Sequence, residues 1–127
     1  MTDVTGFALA GHALEMARGA GCDVAIDWPV VPLLAGAREL AARGFVTGAS
    51  GRNWASYGAE VVLPAGFAPE DQALVTDPQT SGGLLVACDP AATDAVLETF
   101  RRHGFAEAAV IGGVAAARAA PRLVVEA

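Results

Sequence analysis

The chain has 127 residues, enough for one domain with a single core, and no apolar run approaches the roughly 18 residues needed to cross a bilayer. Its 14 acidic residues outweigh 8 basic ones, all of them Arg. A net charge of −6 without a basic cluster argues against nucleic acid or an anionic membrane as partner, and the absence of Lys excludes a P-loop lysine, a Schiff base or a lysine phosphate clamp within these residues. No charged leader with a small-residue cleavage site follows Met1, so the expected location is cytoplasmic.

From Gly6 to about Arg18, Phe7, Ala10, Leu14 and Ala17 recur at helical spacing, with Asp3 or Thr5 placed to cap the start and Gly19 to Gly21 placed to end it. CDVAIDW alternates like a strand, and Pro29 and Pro32 lead into a second predicted helix, PLLAGARELAARG, which stops at Gly44. FVTGASGRNWASYG has no sustained period and reads as a loop with at most one helical turn around Asn53 to Tyr57. AEVVL predicts a short strand and PEDQALV a brief helix opened by Pro69 and two acids. DPQTSGG is turn chemistry entering a strand, GLLVAC. PAATDAVLETFRRHG predicts a helix with Val96, Leu97 and Phe100 on one face and Arg101, Arg102 and His103 at its positively charged end. AAVIGGVAAAR and PRLVVEA predict two closing strands. This irregular alternation favours a mixed sheet flanked by helices over a doubly wound parallel fold.

Several residues invite a chemical reading, each beside a plainer one. Asp3 and Thr5 precede a helix, where they either cap free N–H groups or hold a Mg²⁺ and phosphate at the helix start; Asp3 alone is at best one ligand of several. In DPQTSGG, Pro78 fixes φ and the glycines permit close approach, while Gln79, Thr80, Ser81 and the N–H groups of Gly82 and Gly83 offer a polar surface to an anion or a partner loop. His12 reads as a packed or capping helical residue, Arg52 as a solvated loop residue able to grip an anion, and His103 as compensation of a helix dipole. Trp28, Trp54 and Tyr57 are too dispersed for a stacking platform. Cys22 and Cys88 fit no metal spacing and read as buried free thiols.

Two long motifs carry a family resemblance. DVTGFALAGHALEMA resembles the selenophosphate synthetase segment Asp-Val-Thr-Gly-Phe-Gly-Leu-x-Gly-His, and DPQTSGGLLVA is similar to that family's second signature almost letter for letter. VPLLAGARELAARG, GRNWASYG and AAVIGGV follow in the expected order, so the resemblance covers nearly the whole chain. It implies the C-terminal half of a two-domain enzyme related to aminoimidazole ribonucleotide synthetase, with residues 1–127 as one α+β domain. The implied architecture is a three-layer α/β/α arrangement with a mixed sheet and a ferredoxin-like core.

The partner it implies is the protein's own N-terminal ATP-binding domain, in an enzyme that is a homodimer when complete. The reaction it implies converts ATP, selenide and water to selenophosphate, AMP and phosphate, with Mg²⁺ bridging the phosphates. By resemblance Asp3 completes a metal site built mostly by the other domain. Thr5 and Gly6 lie at the interdomain cleft, as do Asp77, Gln79, Thr80, Ser81, Gly82 and Gly83. No catalytic residue falls in this chain, because the family's reactive Cys or selenocysteine and its neighbouring Lys have no counterpart here. Ala8 stands where the family has glycine, and TGASGRN departs from Gly-Gly-Thr-x-x-Asn. Another ATP-dependent member of the superfamily, such as a thiamine monophosphate kinase or a hydrogenase-maturation protein, and a non-catalytic assembly domain are the competing readings.

Overall fold

The computed structural model describes residues 1–127. Strand β1 (Thr2–Asp3) opens the chain and leads into helix α1 (Ala8–Ala20), a run of strong helix formers whose Ala10, Ala13, Leu14 and Ala17 are buried. The helix ends as its glycines suggest: Gly21 is left-handed, with φ of 63°, and its N–H reaches the carbonyls of Ala17 and Arg18. Its start differs from expectation. Phe7 occupies the cap position with no side-chain cap hydrogen bond. Asp3 is held upstream in β1, and Thr5, whose hydroxyl contacts His12, lies before the cap position, so neither accepts a first-turn N–H. Ala8, buried at the first helical position, has φ of 63°, a left-handed conformation that costs an alanine about 1 kcal/mol and a glycine almost nothing. The glycine of the family pattern thus has a backbone reason, and alanine is accommodated here under strain.

Strand β2 (Cys22–Asp27) follows as expected, and a short 3₁₀ turn, Trp28–Val30, carries the chain off the sheet. The next helix, α2, is only Ala37–Ala42, because Gly36 at its cap has φ of 80° and leaves the segment from Pro32 to Ala35 outside it. The segment expected to be mostly loop is instead helix α3 (Gly48–Tyr57), begun by Thr47, whose hydroxyl accepts the Ser50 N–H. Its buried positions are Ser50, Asn53 and Tyr57, which have helical spacing but polar side chains, so hydropathy gave no period to detect. Strand β3 (Val61–Val62) and helix α4 (Pro69–Val75) follow the sequence reading. Strand β4 is confined to Leu84–Leu85, shorter than GLLVAC predicts. Cys88 therefore lies beyond it and is exposed, whereas Cys22 is half-buried; both are free thiols. Helix α5 (Thr93–Arg102) and strands β5 (Gly112–Ala116) and β6 (Leu123–Glu126) complete the chain.

The fold is mixed α+β, as the element pattern predicts. A four-stranded sheet has the order β3-β6-β2-β5, in which β6 runs parallel to both β3 and β2 while β5 is antiparallel to β2. Helix α1 lies against β2 and β6, and their apolar faces meet in a core that includes Ala10, Ala13, Leu14, Ile26, Leu123 and Val125. Asp23 pins β6 beside β2: its carboxylate accepts the Arg122 backbone N–H at 3.2 Å and the guanidinium Nε–H at 3.3 Å. The remaining strands, β1 and β4, pair antiparallel as a separate ribbon with Thr2 opposite Leu85 and Asp3 opposite Leu84. That ribbon joins the two sequence motifs. No helix is long and apolar enough to cross a membrane.

Candidate functional site

The DVTGF and DPQTSGG segments are far apart in the chain and are bonded to each other in space. Beyond the β1–β4 ribbon, the Val4 N–H reaches the Gly83 carbonyl at 3.0 Å and the Gln79 N–H reaches the Thr5 carbonyl at 3.1 Å. Gly82 is required at the closest approach, because a β-carbon there would stand 1.8 Å from the Val4 carbonyl oxygen. Val4 is buried while Asp3 and Thr5 on either side of it are exposed.

Helix α3 braces this junction from below. The Asn53 side-chain amide donates to the Gly6 carbonyl at 2.9 Å and to the Thr76 carbonyl at 3.0 Å, so one buried group holds both motifs. The Tyr57 hydroxyl donates to the Phe7 carbonyl at 2.7 Å. Ser50 and Thr76 sit 2.7 Å apart, hydroxyl to hydroxyl, with Thr76 also donating to the Gln72 carbonyl at 2.8 Å. Sequence reasoning assigned no role to Asn53 or Tyr57. The available signal was the spacing of Ser50, Asn53 and Tyr57 behind a capping Thr47.

These contacts have measurable weight. Asn53→Ala leaves two carbonyls without that donor and opens a small void, so it is expected to lower stability by about 2 kcal/mol, read as a reduced thermal midpoint. Burial pushes the Tyr57 phenol up to about 12, against the opposing influence of the Gly11 backbone. The neutral phenol is therefore the folded form. Its contribution is complete below the ordinary value of 10.0 and is lost as pH rises towards about 12, where the unfolded chain ionises first. Tyr57→Phe should cost about 1 kcal/mol at neutral pH and remove this alkaline loss. Urea midpoints of the two proteins, compared from about pH 9 to about pH 11, check both effects.

The proposed site residues fall into distinct situations. The Asp3 carboxylate is exposed and has no hydrogen-bond or ion-pair partner, which leaves both oxygens available. No group of three His, Cys, Asp or Glu side chains converges to hold a metal. Asp3 thus fits Mg²⁺ as a single ligand and no more. Thr5 gives its hydroxyl to a contact with His12 and its carbonyl to Ala8 and Gln79, while Gly6 offers its carbonyl to Asn53. One Asp77 carboxylate oxygen accepts the Thr47 hydroxyl at 2.9 Å, tying the loop to the start of α3. Gln79 folds its amide back onto the Asp77 carbonyl at 2.9 Å, whereas Thr80 and Ser81 are exposed. Gly82 and Gly83 serve the backbone junction described above.

A depression of about 270 Å³ lies between α3 and α4, lined by residues including Thr47, Ser50, Trp54 and Thr76. None of Asp3, Thr5 or the DPQTSGG residues lines it.

A mixed sheet with two glycine-bearing motifs tied into one exposed wall defines the class of domain. Residues 1–123 match the family described as AIR synthase related protein, C-terminal domain, and the chain belongs to that family. Its relatives include a protein named selenide, water dikinase from Burkholderia ambifaria (strain MC40-6), 59% identical over 112 residues, which are 88% of this chain and 32% of that protein. Proteins of the same name from Pseudomonas straminea, 54% identical over 125 residues, and Rhizobium meliloti (strain 1021), 48% identical over 124 residues, each cover 98% of this chain. The match takes in 34% and 36% of those two proteins, so the chain spans about a third of the length of the curated relatives it matches.

Proposed function

We propose that residues 1–127 are the C-terminal domain of a selenophosphate synthetase, forming one wall of a cleft whose other wall is an N-terminal ATP-binding domain. The observation that carries this reading is the junction of the two motifs, which leaves the Asp3 carboxylate unpartnered on an exposed edge beside Thr5, in a chain whose relatives bear the name selenide, water dikinase. A wall without its opposite face also accounts for the exposure of Phe7, at 51%, within the DVTGF segment itself.

In the complete enzyme Asp3 supplies one carboxylate to Mg²⁺, and the N-terminal domain supplies the rest. The metal, when bound, offsets the charge of the ATP phosphates during transfer. Thr5, Gly6 and the loop from Asp77 to Gly83 shape the adjoining surface, with Thr80 and Ser81 as its free hydroxyls. The products are selenophosphate, AMP and phosphate; the assembly is a homodimer and works in the cytoplasm. This chain by itself is inactive.

The test is turnover by the full-length protein with ATP, Mg²⁺ and selenide. Selenide-dependent formation of AMP and phosphate is the expected result. ATP consumption that ignores selenide and instead follows another phosphate acceptor would move the protein to a different branch of the same superfamily.

A further inference from the structure

His12 is buried in α1 with a side chain only 10% exposed, and both ring nitrogens face oxygen. Its Nε2 lies 3.0 Å from the Thr5 hydroxyl oxygen, and its Nδ1 lies 2.9 Å from a carboxylate oxygen of Glu15, one turn along the helix. The Phe7 ring stands 6.0 Å away, centroid to centroid, on the exposed side. The Nδ1 contact with Glu15 is close but too poorly aligned to count as a hydrogen bond, so its influence is electrostatic.

That influence decides the tautomer. A neutral imidazole carries one proton, and an unprotonated Nδ1 would set its partial negative charge 2.9 Å from a carboxylate oxygen. The proton therefore belongs on Nδ1, which leaves Nε2 able only to accept. A hydroxyl has a single hydrogen, and Thr5 must spend it on His12. What Thr5 presents to the site is then lone pairs, not a donor.

We infer that His12 is a positioning residue: it fixes the direction of the Thr5 hydroxyl so that Thr5 meets its ligand as a hydrogen-bond acceptor, and the ligand it suits is a water molecule. A phosphate oxygen is the wrong partner for this group, since it too only accepts. Water can donate to Thr5, and water is the reactant that the relatives' name contains. Thr5 and Asp3 are both exposed, one on each side of the buried Val4, so water held on Thr5 is within reach of the surface on which Asp3 stands. Glu15 acts one step further back, through the ring.

The experiment uses the full-length protein. Long-range proton–nitrogen correlation spectra of histidine-labelled enzyme, with the His12 ring assigned through its contact with Phe7, should show the ring protonated at Nδ1 and not at Nε2. A ring protonated at Nε2, alone or together with Nδ1, overturns the inference, and this measurement requires no variant to fold. The second arm is a double-mutant cycle in turnover. Thr5→Val and His12→Ala should each lower kcat about tenfold with little change in KM for ATP, the value of one well-placed hydrogen bond, and the pair together should lose no more than Thr5→Val alone. Thr5→Ser should retain activity. Losses that multiply in the double variant contradict the inference, because a merely structural His12 acts independently of the hydroxyl. Only the turnover arm rests on the selenophosphate reading. An enzyme without selenide-dependent turnover fails that reading and leaves the tautomer result standing, whereas normal turnover with the wrong tautomer or multiplicative losses fails this inference alone.

Discussion

Replacing Gly82 with alanine is expected to lower stability by about 3 kcal/mol, and the thermal midpoint by about 10 °C, although the residue is exposed. The added methyl would stand 1.8 Å from the Val4 carbonyl oxygen, 2.9 Å from its carbon and 3.0 Å from the Gln79 β-carbon. The nearest of these are backbone atoms with no rotamer to escape into. Room can come only from parting the DPQTSGG loop from the first strand, which sacrifices the Val4 to Gly83 and Gln79 to Thr5 hydrogen bonds together. The adjacent glycine supplies the control. A β-carbon on Gly83 meets nothing within 4 Å, so Gly83→Ala should stay within about 0.5 kcal/mol of the parent. Thermal unfolding of the three proteins side by side checks the contrast. Equal midpoints for Gly82→Ala and Gly83→Ala would mean that the two motifs are not held at the distance seen here. Because the same junction orients Asp3 and Thr5, loss of stability in Gly82→Ala should be accompanied by loss of turnover in the complete enzyme.

Much of this arrangement could be read from the residues, and the parts that could not have identifiable causes. Helix α1 and strand β6 announced themselves because Ala10, Leu14 and Ala17 at helical spacing and Leu123 and Val125 at alternating spacing are buried, whereas Phe7 is exposed ahead of the helix and β2 buries Asp23 and Ile26 in place of strict alternates. The closing helix, α5, was legible for its amphipathic face and basic end. Helix α3 was not, since its inward face is Ser50, Asn53 and Tyr57 and a hydropathy pattern is blind to a polar core contact. The shortening of α2 turned on Gly36 adopting positive φ, a backbone choice that its neighbours do not dictate.

The site shows the same division. Asp3, Thr5 and the DPQTSGG loop could be singled out by motif, and their bonding across the β1–β4 ribbon required the fold. Thr5 illustrates how local chemistry misleads: a threonine ahead of a helix has the right composition for a cap, but Phe7 takes the cap position and the Thr5 hydroxyl meets His12 seven residues on. Asp77 appeared equivalent to Asp3 in sequence, each preceding a polar, glycine-bearing run. In space one carboxylate is bonded to Thr47 and the other is free. That difference, invisible in the letters, leaves Asp3 as the carboxylate with both oxygens unpartnered.

The second large effect concerns that free carboxylate. Asp3 has no structural partner to lose, so Asp3→Ala should leave the fold and thermal midpoint within about 0.5 kcal/mol of the parent. In the complete enzyme it should nevertheless reduce Mg²⁺-dependent turnover by about 100-fold or more, because an oxygen ligand is removed from a metal that holds the phosphates. Asp3→Asn keeps one oxygen and the shape but not the charge, and should fall between the two. A merely structural aspartate would show the reverse pattern, with stability falling and turnover per folded molecule preserved.

The most direct test of Asp3 as the metal ligand contributed by this wall is a Mg²⁺ titration of selenide-dependent AMP formation by full-length enzyme, wild type against Asp3→Ala. A much weakened Mg²⁺ requirement curve, with saturation displaced to higher metal and turnover reduced at every concentration, is the predicted result; superimposable curves would contradict it.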